Sequence, residues 1–123
     1  MIRYRIGLLV LVAACAPLAW SLPAGAHQST VRAATIAVTA GKPSEFHFIL
    51  TKKTAVLGTV TFKVTNKGNL PHDFKINGHK TKLLSPGQAQ TLKVTFLKAG
   101  KYPYLCTVTG HAAAGMKGTL TVT

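Results

Sequence analysis

Acidic side chains and sulfur are scarce in this chain. Its 123 residues hold two carboxylates, Glu45 and Asp73, two cysteines and two methionines. No long segment has the spacing of an amphipathic helix, and nothing repeats, which argues against helical and repeat folds. The longest apolar run, residues 6–20, is fifteen residues broken by Pro17. That is short of the roughly 20 needed to cross a membrane as a helix. Arg3 and Arg5 precede the run, and small residues at 23–26 follow it. A charged head, a short apolar middle and a small-residue end predict a secretory signal peptide over 1–26, cut after Ala26. Residues 27–123 are then one domain. A competing reading takes Val12-Ala13-Ala14-Cys15 as a lipoprotein box with the lipid on Cys15. It is the weaker one, because the apolar run before Cys15 is short and the run after it stays greasy.

Export leaves Cys106 as the only thiol. That excludes an internal disulfide, and it excludes an iron–sulfur cluster, which needs several cysteines. An odd cysteine in a secreted chain pairs with another molecule, stays buried or does chemistry. The shortage of acids has its own consequence. Thirteen Lys or Arg and two acids remain after cleavage, a net charge of +11. The lysines punctuate the polar side of nearly every segment and form no cluster interleaved with aromatics, so nucleic acid is not an expected partner. A basic exported protein is instead steered toward an acidic partner or toward peripheral contact with an anionic membrane surface.

What the chain has in quantity is period-two alternation. Val60, Phe62 and Val64 share one face, and Thr61 and Lys63 the other. Leu92, Val94 and Phe96 repeat the pattern, as do Leu120 with Val122, Ile36 with Val38, and Phe46 with Phe48 and Leu50. Turn signals such as Gly41-Lys42-Pro43, Asn77-Gly78 and Ser85-Pro86-Gly87 separate the runs. This predicts an all-β fold, an antiparallel Greek-key β-sandwich of seven to eight strands with no second domain. Tyr102 and Tyr104 are expected to anchor the last strands in the manner of a tyrosine corner.

The stretch YLCTVTGHAAAGMKG, residues 104–118, carries Cys106, His111 and Met116 with four residues between neighbours. Singly these read as a buried thiol, a surface histidine and a core methionine. A fourth residue changes that reading. His72 lies in NKGNLPHDF, where a loop becomes a strand, with Pro71 stiffening the backbone before it. His27 and His79 sit among polar turn residues, and His47 has outward parity. Thiolate and thioether are soft ligands that suit copper, and two His with one Cys and a weak axial Met make a blue-copper set. Zinc is the next candidate, but it favours closed Cys/His sets. Gly110 and Gly115 give the loop backbone freedom, and Ala112, Ala113 and Ala114 keep it thin, which shortens the path for an electron.

NLPHDF followed by YLCTVTGHAAAGMKG resembles the cupredoxins, the plastocyanin and azurin family, over residues 33–123. The resemblance implies a sandwich with one copper ion at its end, cycling Cu(II)/Cu(I). It implies His72, Cys106 and His111 as equatorial ligands and Met116 as the axial one. It also implies one-electron transfer between larger redox proteins, not catalysis, and a monomer. The Cys-to-His spacing matches azurins and the His-to-Met spacing matches plastocyanins. Asp73 stands where those families carry Asn. In the family that side chain bonds across to the loop after the Cys, here near Thr107. A charged Asp73 is expected to favour Cu(II) and lower the potential. The charge of +11 departs from plastocyanins with acidic docking faces and points to a partner whose own docking face is acidic.

The expected function is therefore an exported blue-copper electron carrier, periplasmic or extracellular. Its partner is expected to dock on an apolar patch of His111, residues 112–114, Leu70 and Pro71. The alternative is a copper chaperone or store delivering metal to an exported or membrane oxidase. A catalytic relative of nitrite reductase would need a second copper site and usually a second domain. A metal-free sandwich, or an amino-terminal copper grip by His27 with His47 or His79, are the remaining readings.

Overall fold

Valine and threonine recur through the chain, and the strands form where they alternate with larger apolar residues. The computed structural model describes Gly25 and residues 33–123. The expected leader with Cys15, and His27, lie outside the described residues. Among the described residues there are nine strands: β1 (Ala34–Ala40), β2 (Phe48–Leu50), β3 (Thr54–Ala55), β4 (Gly58–Asn66), β5 (Lys75–Ile76), β6 (His79–Lys80), β7 (Ala89–Phe96), β8 (Gly100–Leu105) and β9 (Lys117–Val122). No helix among them is long and apolar enough to cross a membrane.

Two sheets face each other. One runs β2-β1-β4-β7 and the other β3-β9-β8-β5-β6. The sandwich is as expected, but its sheets are mixed rather than wholly antiparallel. β1 pairs with β4 in parallel, from Ala34 opposite Val60 to Ala40 opposite Asn66. β3 pairs with β9 in parallel too. β2 runs back along β1, the chain then passes through the second sheet at β3, and β4 enters on the other side of β1 in the direction of β1. Alternation specifies which face is buried, not which way a strand points. Nine strands replace the expected seven to eight because β3, β5 and β6 are only two residues each, too short to carry a pattern.

The alternating residues build the core. Ile36, Val38, Val60, Phe62, Val64, Val94 and Phe96 of the first sheet meet Ile76, Tyr104, Leu120 and Val122 of the second. Burying one such side chain fully stabilises the fold by about 1.5–3 kcal/mol. Phe74 sits at the centre, its ring 5.4 Å from Phe62, 5.3 Å from Phe48 and 5.5 Å from Tyr104. The Tyr102 hydroxyl donates to the Lys98 carbonyl at 2.7 Å and closes the turn before β8, the anchoring its position suggested.

Strand ends position the site. β1 and β4 finish side by side at Ala40 and Asn66. β8 finishes where β9 begins, Leu105 opposite Lys117, with Lys75 of β5 on the other side of Leu105. Segments 41–47, 67–74 and 106–116 therefore gather at one end. A second, smaller apolar cluster caps the core there, made of Ala40, Cys106 and Met116 with Phe46, Phe48 and Val108 against them.

Candidate metal centre

His72 reaches the site on a fixed backbone. Its N–H donates to the Leu84 carbonyl at 3.0 Å and its carbonyl accepts from the Leu84 N–H at 2.8 Å. The loop before it hangs on Asn66, which is fully buried. The Asn66 amide donates to the carbonyls of Leu70 and Leu84, both at 2.8 Å, and its oxygen accepts from the Gly68 N–H at 2.9 Å. Cys106 follows β8 directly, and its N–H donates to the Met116 carbonyl at 3.1 Å. Between them the loop makes successive tight turns. His111 N–H donates to Val108 at 3.1 Å, and Met116 N–H donates to His111 at 3.0 Å. Gly110 takes φ +84°, a left-handed value that strains residues bearing a Cβ.

These constraints bring three donors together. His72 Nδ1 lies 3.1 Å from His111 Nδ1, and Cys106 Sγ lies 3.6 Å from His111 Nδ1 and 4.0 Å from His72 Nδ1. One point in the plane of the three atoms is about 2.1 Å from each, close to the roughly 2.0–2.3 Å of first-row metal–nitrogen and metal–sulfur bonds. Met116 is fully buried and shares the apolar cluster of Cys106. Two buried imidazoles and one buried thiol, with a buried methionine in the cluster of that thiol, fit copper better than zinc. His72 and Cys106 are buried at 0% and 1% exposure, while His111 keeps 8%. His47 and His79 are exposed and stand apart from this group, His47 bonded to Ser44.

The profile of the cupredoxin-like domain matches residues 8–122. The chain belongs to the cupredoxin family. Auracyanin-B of Chloroflexus aurantiacus is 46% identical over 43 residues, which are 35% of this chain and 18% of the auracyanin. The match thus spans under a fifth of that relative's length. The solved auracyanin of Roseiflexus castenholzii is similar in fold, with a TM-score of 0.54 at 26% identity, covering 74% of this chain and 96% of its own. Rusticyanin of Thiobacillus ferrooxidans, a copper protein, gives a TM-score of 0.60 at 24% identity, covering 74% of this chain and 77% of its own. His72, Cys106 and His111 of this cupredoxin lie close enough together to hold one ion, and their chemistry suits copper.

Local electrostatics act differently on the two kinds of donor. Burial pushes the Cys106 thiol up, the backbone N–H groups of Asp73 and Val108 pull it back only in part, and the Asp73 carboxylate adds to the rise. His111 is held below its ordinary value, first by burial and then by the neighbouring His72. The neutral ring that a metal requires is thereby favoured. Asp73, 4% exposed, accepts from the Thr107 N–H at 2.6 Å and from the Thr107 hydroxyl. This is the cross-link the resemblance implied. Lys80 Nζ stands 3.7 Å from the same carboxylate.

Two contributors escape a sequence reading. Asn66 is one. Glu45 is the other: its Oε1 lies 2.7 Å from His72 Nε2 and accepts from the N–H of Leu70 at 2.9 Å, while both its oxygens lie 3.0 Å from the Asn69 N. The backbone bonds from Asn69 and Leu70, with His72 adding less, draw the Glu45 carboxyl down to about 2. Its one marker in the sequence is rarity, as one of two acids. Gly68 makes the contact possible. A Cβ there would overlap Glu45 Oε1 and come within 3.0 Å of His72 Nε2.

Proposed function

We propose that this cupredoxin is an exported one-electron carrier whose copper would be held by His72, Cys106, His111 and Met116. The observation that carries the reading is the mutual approach of two Nδ1 atoms and one Sγ within a buried pocket. Bound there, copper supplies reversible one-electron chemistry.

The protein's own part is to hold the donors still. The His72 backbone is tied at both its N–H and its carbonyl, Cys106 is tied to Met116, and Asp73 spans to Thr107. Little can rearrange when the charge at the centre changes, which keeps exchange fast. The Cys106 thiolate and the His111 ring couple the centre to the outside, because His111, though buried, lies nearer the surface than His72, at 8% exposure against 0%. Around it, Ala113, Ala114, Pro71 and Leu70 are exposed, Leu70 at 42%. That apolar rim is the surface offered to a redox partner, and the surplus of lysines steers an acidic one. The chain acts as a monomer, and it carries electrons rather than converting a substrate.

Copper delivery to an oxidase is the second reading. Complete burial of His72 and Met116 opposes it, since release would require the end of the sandwich to open. The two are separated by mixing the copper-loaded, reduced protein with a Cu(I) chelator. A carrier keeps its copper and cycles reversibly at an electrode, whereas a delivery protein gives it up.

A further inference from the structure

Neutral imidazole has one N–H and one lone pair, and what accepts the N–H decides which nitrogen is left to bind a metal. At His72 that acceptor is Glu45 Oε1, 2.7 Å from Nε2. A carboxylate can only accept, so the proton stays on Nε2 and the lone pair on Nδ1 faces His111 Nδ1 and Cys106 Sγ. The carboxylate is itself socketed. Backbone N–H groups of Asn69 and Leu70 donate to it. Gly68 leaves it room, and Gly41 leaves room for Gly68, whose Cα a Cβ at 41 would overlap. Glu45 keeps 21% side-chain exposure, yet these bonds aim it inward.

The charge distribution singles out the same place. The chain carries fifteen Lys or Arg and two acids. Asp73 follows His72 and bonds to the residue after Cys106; Glu45 bonds to His72 itself. Both negative charges of a strongly basic protein therefore lie beside the metal pocket. A cupric–thiolate pair carries one positive charge that the cuprous–thiolate pair lacks, so a fixed anion next to it favours the oxidised form.

We propose that Glu45 is the positioning residue of this centre: it aims His72 Nδ1 at the copper and, by its charge, biases the centre toward the oxidised state. The assignment rests on the copper reading above. It separates two roles that different substitutions divide. Glu45→Gln keeps an acceptor for Nε2–H without the charge. Glu45→Ala removes both.

The experiment compares wild type, Glu45→Gln and Glu45→Ala. Copper affinity is measured by competition, potential by voltammetry of the copper-loaded proteins, and the His72 tautomer by long-range proton–nitrogen NMR on copper-free wild type. The expected results are a proton on Nε2, a Cu(I) affinity loss of about 10–100-fold in Glu45→Ala, and near wild-type Cu(I) affinity in Glu45→Gln. The potential of Glu45→Gln rises by about 59 mV or more, a tenfold loss of preference for the oxidised form. A His72 proton on Nδ1, or variants equal to wild type in both affinity and potential, overturns the proposal. If Glu45→Ala does not fold, the potential of Glu45→Gln and the wild-type tautomer decide alone. A wild type without a thiolate–copper band overturns the electron-carrier reading as well; a normal band with unmoved variants overturns Glu45 alone.

Discussion

Thr107 bonds to both carboxylate oxygens of Asp73, to one through its backbone N–H and to the other through its hydroxyl. The bridge joins the residue after His72 to the residue after Cys106, 34 positions apart. Two ligand-bearing segments from distant parts of the chain are thus locked together one residue away from the donors.

Removing the charge while keeping the bridge isolates its electrostatic effect. Asp73→Asn retains an acceptor for the Thr107 N–H, so the fold and the thiolate band are expected to persist while the reduction potential rises. Voltammetry checks this; an unchanged potential means the Asp73 charge does not act on the centre.

Removing the hydroxyl tests the bridge as structure. Thr107→Val deletes one hydrogen bond to a carboxylate and is expected to cost about 1.5–3 kcal/mol in urea unfolding of the copper-free protein. A change within error would mean that the N–H bond alone holds the two segments.

Close approach at Gly68 makes a steric prediction. In Gly68→Ala the new methyl meets Glu45 Oε1 and His72 Nε2, so Glu45 must leave the ring or the loop must shift. Overpacking of this kind costs about 1–3 kcal/mol, and copper affinity falls with it. Titration with a competing chelator reads the affinity; retention of wild-type binding would show that the loop yields freely.

Acid stability follows from Glu45. Its folded value, about 2, lies below the ordinary 4.5 because backbone N–H groups of Asn69 and Leu70 favour the carboxylate. The stabilisation is fully present above pH 4.5 and is lost as pH falls from 4.5 toward about 2. Copper-free Glu45→Gln is expected to have a flatter acid limb in that window when urea midpoints are followed against pH. Superimposable limbs for variant and wild type would contradict it.

The docking surface is tested by charge. Ala113→Glu puts a carboxylate on the apolar rim of His111, where an acidic partner would be repelled. Electron exchange is expected to slow by roughly tenfold at low salt, with the visible band unchanged. Stopped-flow kinetics with an acidic redox protein decide; an unaltered rate moves the docking site elsewhere.

The alternation of Val60, Phe62 and Val64, or of Leu120 and Val122, made the buried faces legible, because period two is a local property of the chain. Parallel pairing of β1 with β4 was not legible, since it depends on the route through the other sheet. His72, Cys106, His111 and Met116 stood out together because their side chains form one soft ligand set, three of them evenly spaced in a single stretch. Glu45 did not. It lies in a turn 27 residues before His72, and nothing nearby marks which histidine it faces. Asn66 was hidden likewise, as an asparagine at a turn has many ordinary uses.

The central claim is that a cysteine thiolate and two imidazoles hold one copper ion at the end of this sandwich. Adding Cu(II) to the purified protein and recording its visible absorption and EPR tests it most directly. The account predicts an intense thiolate-to-copper band at one equivalent and its loss in Cys106→Ser. A colourless metallated protein, or a band that survives Cys106→Ser, would contradict it.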